Sequence, residues 1–293
     1  MIVNENNYYT RLDKFLRKNF QNIPLSAIYK MIRKGKVYVN GKKVKNPSYN
    51  IEIGDSIEIK EDIANYNRDT NKSIKPIKMN LNIVYEDEDI LIINKPAGIS
   101  IHPGKGTHIA TLIEGLIYYG NQNNFKPLLV HRLDKHTSGI LIVAKNAPAS
   151  RILSEIISSR EIEKQYVTLV VGKTNKSGKI DLPLDEKDSL TIYNTKNIFK
   201  TDTGYFSLLN VEIKTGRKHQ IRKHFALIKH PVVGDDVYGD RRLNREFKRQ
   251  FGLKRYFLHC NKMSFFYKGK RIEAIADLPE DLTKVIKKLK EGV

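Results

Sequence analysis

Hydrophobic positions along this chain alternate between two periods. Near the N-terminus Leu12, Phe15, Leu16 and Phe20 recur at the spacing of one helical face, while Arg11, Lys14, Arg17 and Lys18 occupy much of the remaining surface. A second helix is predicted from Pro24-Leu25-Ser26, because proline suits a first helical turn. Its apolar positions are Ile28, Met31 and Ile32; Tyr29, Lys30, Arg33 and Lys34 lie elsewhere around it, and Gly35 serves as C-cap. Val37-Tyr38-Val39, Asn40-Gly41 and Lys42-Lys43-Val44 read as a hairpin, and Ile57-Glu58-Ile59 as a further strand. Residues 1–62 are therefore expected to form a small independent module. Residues 63–80, with few bulky apolar side chains and many Asn, Asp, Lys and Thr, read as a linker.

The remainder, 81–293, reads as one larger domain. Val84-Tyr85 and Ile90-Leu91-Ile92-Ile93 make a hairpin that ends at Asn94-Lys95-Pro96-Ala97-Gly98. Helical patterns follow at Leu112 to Tyr119 and Pro148 to Ser159, and β-rich runs at Tyr166 to Val171 and Phe206 to Ile213. A strand pair flanks Lys268-Gly269-Lys270, and a helix follows Pro279. Strands in adjacent runs with helices between them predict an α+β domain on a largely antiparallel, mixed sheet.

Charge changes the picture more than length does. The 293 residues carry 52 Lys+Arg against 32 Asp+Glu, a net charge of +20, which favours a polyanionic partner. Nucleic acid is the first candidate and an anionic membrane surface the second. The two basic helices and hairpin of the first module fit RNA or DNA contact somewhat better than an ordinary solvated surface. Cys260 is the single cysteine, so no intrachain disulfide or Cys-rich zinc site is available. No apolar run approaches the roughly 18 residues of a membrane span. The N-terminus lacks a basic n-region and an apolar h-region, so the cytoplasm is the expected compartment.

Candidate chemistry centres on His131-Arg132-Leu133-Asp134-Lys135-His136-Thr137-Ser138-Gly139, which runs into the apolar Ile140 to Ala144. A carboxylate among cations at the mouth of a buried strand is a plausible site, and bracing a turn is its competing role. A second cluster, Thr215 to His224, holds Arg222, which can reach inward to pair with Asp134 and keep it ionised, or form a structural ion pair at a sheet edge. Metal chemistry is not expected: there is no His-Glu-x-x-His and no compact carboxylate cluster. A phosphate-binding loop fails because Val167 stands where its first glycine belongs. His131, Asp134 and Ser138 supply triad ingredients, but no G-x-S-x-G elbow exists and Ser138-Gly139 reads as a turn.

Taken together these segments resemble the RluA family of pseudouridine synthases over nearly the whole chain. Asn94 to Gly98, His131 to Gly139, Lys164-Gln165-Tyr166, and Thr215 to Arg222 continuing to His230-Pro231-Val232-Val233-Gly234-Asp235 are similar to the family's motifs, and Arg11 to Lys60 resembles an S4 RNA-binding domain. Gly234 to Arg241 and Arg255-Tyr256-Phe257-Leu258-His259 look most like the RluC type, which implies several uridines of large-subunit ribosomal RNA as substrate. The chain departs at His136, where an acidic residue is expected, and at Cys260, where alanine is usual.

The resemblance implies a pseudouridine synthase fold behind a small S4 (α-L) domain, and an isomerase. Asp134 would be the catalytic carboxylate, attacking sugar or base or removing a sugar proton. Tyr166 would stack on the flipped base, Arg222 would pair with Asp134, Leu258 would form an apolar wall, and Arg132 would contact the RNA where the base has left. Arg11, Lys14, Lys30, Arg33 and Lys34 are the expected RNA-binding residues. No cofactor, no metal and no membrane partner are expected, and a monomer is. The readings from other classes are a non-catalytic ribosome-assembly factor using the same basic surfaces and, more distantly, a nuclease-type hydrolase.

Overall fold

The computed structural model describes residues 1–5, 7–20, 23–61, 75–103 and 110–291. The chain divides into two compact units, Met1–Lys75 and Pro76–Val293.

In the first unit α1 (Leu12–Asn19) and α2 (Leu25–Arg33) are followed by β1 (Val37–Val39), β2 (Lys42–Val44) and β3 (Ile57–Ile59). Asn40 and Gly41 both adopt positive φ, as the tight β1–β2 turn requires, and β1 lies between β2 and β3. Leu12, Phe15 and Leu16 of α1 pack against Ile28, Met31 and Ile32 of α2 and the inward valines of β1, so the unit has a core of its own. Gly35, with φ +67°, ends α2 as expected.

Much of the expected linker, residues 63–74, lies outside the described residues. Its last residues belong to the second unit: the Ile77 N–H donates to the Glu114 carbonyl, and Met79 lies against Gly115 so closely that a Cβ there would approach it to 2.8 Å. The second unit comprises β4 (Ile83–Glu86), β5 (Ile90–Lys95), α3 (Leu112–Gln122), β6 (Leu128–Leu129), β7 (Ser138–Ala144), α4 (Ala147–Ser158), β8 (Ile162–Val171), β9 (Ser177–Asp181), β10 (Leu190–Thr201) and β11 (Gly204–Ile213). It continues with α5 (Gln220–Leu227), α6 (Arg241–Phe251), β12 (Leu258–Tyr267), β13 (Lys270–Ile275) and α7 (Glu280–Glu291).

Its ten strands form one mixed sheet in the order β4-β5-β7-β12-β8-β11-β10-β9, with β13 added to β12 and β6 to β7. Among the described residues the pairing of β12 with β7 is parallel and the other pairings are antiparallel. Alternation along β8 directs Tyr166 and Val170 into one core layer, under α3, α4 and α5, and Val167 and Leu169 into another, under α6 and α7. Three elements escape a reading by periodicity: β9, β10 and α6. Strand β10 places Thr191 and Tyr193 inward among exposed Asn and Lys, and α6 has only Leu243, Phe247 and Phe251 as its apolar stripe.

Ser138 and Gly139, read above as a turn, are instead the buried first residues of β7. The parallel pairing explains the glycine. Gly139 has φ +116°, and a Cβ there would lie 2.1 Å from the Cys260 carbonyl oxygen. We therefore expect Gly139→Ala to destabilise the protein by roughly 3 kcal/mol or more, combining a strained φ with overpacking. Urea unfolding measures this; an unchanged midpoint would show that β7 and β12 have room to separate.

Candidate active site

Parallel β7 and β12 begin at the same edge of the sheet, so the loops that enter them lie side by side. One brings Asp134; the other brings Tyr256 and leads into Leu258, the first residue of β12. The Asp134 carbonyl accepts the Thr137 N–H at 3.1 Å, closing a turn that leaves the carboxylate 19% exposed. His131 anchors the loop from below: its Nε2 accepts the Ile142 N–H at 2.8 Å, which requires a neutral ring. Burial, with the Lys164 charge adding to it, pushes the His131 pKa down to about 4.

The loop is fastened a second time through Lys95. This lysine is fully buried, and its ammonium donates to the carbonyls of Pro96 (2.8 Å), Ile99 (3.2 Å) and Lys135 (3.3 Å). The Lys135 carbonyl also accepts the Gly98 N–H at 2.8 Å, so the Asn94–Gly98 turn and the Asp134 loop are tied together. Burial pushes the Lys95 pKa down to about 7, with Arg255 lowering it further and Asp134 opposing the fall. Arg255 completes the support, donating to the His136 and Leu258 carbonyls at 3.0 and 3.2 Å and to Asp281 of α7 at 2.7 Å.

The expected partner of Arg222 is Asp134. Its Nη1 does face Asp134 Oδ2, at 3.5 Å, but its principal partner is Asp235. Nε donates to Asp235 Oδ2 at 2.6 Å and Nη2 to Oδ1 at 2.9 Å, a bidentate pair with both side chains buried. Asp235 Oδ1 also accepts the N–H groups of Val237 and Tyr238. Burial alone would raise the Asp235 pKa; the Arg222 hydrogen bonds and charge outweigh it and hold the carboxyl below its usual range. The guanidinium plane is flanked by Tyr256, 4.2 Å from the ring centroid, and Tyr238, at 5.1 Å. Only one edge of Arg222 is therefore turned toward Asp134.

His219 is a further neighbour, one to which the sequence alone assigns no role here. It sits in the left-handed region, φ 55°, immediately before α5 rather than within the helix. Nδ1 is 2.9 Å from the Tyr238 hydroxyl, and Nε2 is 3.7 Å from Asp134 Oδ1. Burial lowers its pKa, and Asp134 opposes that fall.

Asp134 borders two cavities. The larger, about 690 Å³, is lined by Arg132, His136, His219, Lys254, Arg255 and Tyr256 among others, and is strongly basic. The smaller, about 340 Å³, lies within the size range of small-ligand sites. Its walls include Ile157, Ile162, Tyr166, Ile213, Leu258 and Met263, with Lys164 and the segment Gly216 to Arg222 on the polar side. Tyr166 is 6% exposed and touches Cys260. Burial, then Cys260 and Asp134, raise its pKa well above the ordinary phenol, so it remains protonated at neutral pH. Cys260, the departure noted in the sequence, is fully buried, and burial pushes its thiol up to about 12. Arg132 is exposed and borders both cavities.

The structure thus brings Asp134, Tyr166, Arg222, Arg132 and Leu258 to one place. Asp235, Tyr256, His219, Lys95 and Arg255 are members that the sequence alone does not assign to the site. Lys95 carries a signal: it is a lone cation closing the apolar run of β5 before Pro96. In the first unit Lys14, Lys30, Arg33 and Lys34 are exposed. Arg11 is committed differently, since its Nε and Nη2 both donate to Asp13 at 3.0 Å, and Tyr29 caps the same carboxylate at 2.9 Å. It braces the start of α1 more than it offers a free cation.

Residues 89–227 match the RNA pseudouridylate synthase family and residues 10–57 the S4 domain. The ribosomal large subunit pseudouridine synthase C of Vibrio cholerae is 36% identical, over 96% of this chain and 94% of its own length. The ribosomal large subunit pseudouridine synthase D of Yersinia pestis is 34% identical, over 96% of this chain and 91% of its own. The human RNA pseudouridylate synthase domain containing 4 shares the fold, with TM-score 0.59 and 21% identity over 71% of this chain and 93% of that one. The chain belongs to the RNA pseudouridine synthase family and is an isomerase that carries an S4 RNA-binding domain. Relatives named C and D match at nearly the same level. Among the described residues no helix is long and apolar enough to cross a membrane.

Two outcomes follow from the buried titratable groups. Asp235→Asn removes the buried carboxylate paired with Arg222 and leaves Asp134, at 3.5 Å, as the nearest counter-charge, so a loss of about 3–5 kcal/mol in urea unfolding is expected, with activity falling alongside. For His131, the unfolded ring takes up its proton near 6.5 and the folded one only near 4. The folded state binds fewer protons across that interval, so this contribution is intact above pH 6.5 and is lost as pH falls toward 4, by roughly 3 kcal/mol. His131→Gln, which keeps an acceptor, should flatten that part of the stability–pH curve; a curve of unchanged slope would mean that His131 is not the group titrating.

Proposed function

We propose that this protein converts specific uridines of large-subunit ribosomal RNA to pseudouridine, with Asp134 as the catalytic carboxylate. The observation that carries this reading is the position of Asp134 at the mouth of a small apolar-walled cavity, between Tyr166 and Leu258 on one side and the single free edge of Arg222 on the other. The substrate class rests on the names of relatives that match almost the whole chain, ribosomal large subunit pseudouridine synthases C and D.

The reaction breaks the bond from C1′ to N1, forms one from C1′ to C5, removes the proton on C5 and places one on N1. No oxidation or phosphoryl transfer is involved. A flipped uridine, extruded at a cost of a few kcal/mol, enters the small cavity while its backbone stays in the larger basic one. Tyr166, held as a neutral phenol, stacks on the base rather than accepting a proton. Leu258 and the isoleucines keep the detached uracil from escaping. Asp134, 3.5 Å from Arg222, acts as nucleophile at the sugar or base, or removes a sugar proton; its placement serves each of these routes. Arg132, on the rim between the cavities, fills the position the base has left. Residues 1–62, with Lys14, Lys30, Arg33 and Lys34 outward, grip phosphates, and Arg11 supports them through Asp13.

Asp134→Asn should lower the rate of pseudouridine formation by at least about 10³-fold while RNA affinity changes little. Full activity in that variant would remove Asp134 from the mechanism. Mapping pseudouridines in ribosomal RNA from cells with and without the protein identifies the targets; identical maps would overturn the substrate. Replacing Lys14, Lys30, Arg33 and Lys34 together by Gln should reduce the slope of log affinity against log salt by roughly 0.7–0.9 for each phosphate that is no longer neutralised. An unaltered slope would place RNA binding elsewhere.

A further inference from the structure

Among the described residues of this unit, Lys164 is the buried cation that has been given no task. Alternation along β8 turns Ile162, Lys164 and Tyr166 toward the smaller cavity, and all three line it. The register shift in β12 between Cys260 and Lys262 keeps Cys260 opposite Tyr166 and sets Met263 opposite Lys164, so this corner of the cavity is continuous. Lys164 is only 9% exposed, and its Nζ lies 4.0 Å from where a Cβ on Gly216 would be. Among the described residues no carboxylate or carbonyl accepts a hydrogen bond from it. The other buried cations behave differently: Lys95 has three carbonyls, Arg222 has Asp235, and Arg255 has Asp281 together with two carbonyls. The side chain is buried along its length while the ammonium opens into the cavity, where no protein group among the described residues pairs with it, and burial already disfavours its charge. A cation kept in such a place, aimed into a cavity, is short of a partner that arrives from outside.

We propose that this partner is the substrate base: the Lys164 ammonium donates a hydrogen bond to a carbonyl oxygen of the uracil and is a further catalytic residue of the isomerisation. The inference rests on the reading that uridine enters this cavity. When the bond from C1′ to N1 breaks, its electron pair leaves with the base and is shared among N1 and the two carbonyl oxygens. The sugar is balanced by the Asp134 carboxylate adding to C1′ or by loss of a sugar proton. The pair is then used again as C5 bonds to C1′, and the proton leaving C5 is matched by one gained at N1. Lys164 transfers no proton in this sequence. It meets charge that exists only while the base is detached, which is where a preorganised donor lowers a barrier. It also tethers the base during reorientation.

The test uses the full-length protein and an RNA carrying one target uridine, also prepared with 2-thiouridine or 4-thiouridine at that position. The expected result for Lys164→Met is a single-turnover rate lowered by about 10²–10³-fold, an RNA affinity within about threefold of the parent, and partial recovery in Lys164→Arg. Sulfur accepts hydrogen bonds poorly, so one of the two thio substrates should slow the parent enzyme and leave Lys164→Met no slower than it already is. Its melting temperature should equal or exceed the parent's, because the removed ammonium has no protein partner. A rate within about threefold of the parent, a thio effect that is the same in both proteins, or a marked drop in melting temperature would each overturn the assignment. If the parent itself leaves the target uridine unchanged, the failure lies with the underlying function and not with Lys164.

Discussion

The parallel contact of β7 with β12, through His259 opposite Ser138 and Cys260 opposite Gly139, makes one sheet out of two. On one side of it lie β4, β5 and β7, and on the other β12, β8, β11, β10 and β9. Because the two strands run the same way, their entry loops emerge at the same edge. Asp134 therefore meets Tyr256 and Leu258 although more than a hundred residues separate them in the chain. Antiparallel pairing at this point would have sent the two loops to opposite ends. The glycine that lets the backbones approach is thus a requirement of the site as much as of the core, and Tyr166 enters beside Asp134 because β8 is registered against the same stretch of β12.

On this frame the electrostatics are arranged in two tiers. Asp235 claims the Nε edge of Arg222 and fixes the plane of the guanidinium between two aromatic rings. What remains for Asp134 is a cation at 3.5 Å, too long for a strong hydrogen bond. A carboxylate placed that way is not locked into a tight ion pair, and it borders both cavities. His219 at 3.7 Å and the loop-fastening Lys95 complete the surroundings.

The main outlines are legible in the sequence because they are local. Helical stripes in the first module, the Asn40-Gly41 turn, the apolar run after Asp134 and the Tyr166 strand each announce themselves within ten or so residues. The motifs in combination point to Asp134, Tyr166 and Arg222 and to the family. What stays hidden depends on contacts distant in sequence. Nothing local says that Arg222 bonds to Asp235 thirteen positions on before it faces Asp134, or that Arg255 reaches Ser138 and Asp281. Strand β10 is obscured because its inward positions include Thr191, whose hydroxyl lies in a polar cluster with Gln220 and His224. Helix α6 is obscured by its basic outer face, although Asp240, which caps its first N–H groups, and Gly252 at its end are both visible. Ser138-Gly139 misleads because small residues mark both turns and close strand contacts.

On the function proposed above, the two cavities that meet at Asp134 divide recognition between them. Uridine and pseudouridine have the same atoms and the same charge, so a grip on phosphates in the basic cleft holds product about as firmly as substrate. Letting go of the finished RNA is then a matter of loosening the backbone, and the same cations that speed arrival delay departure.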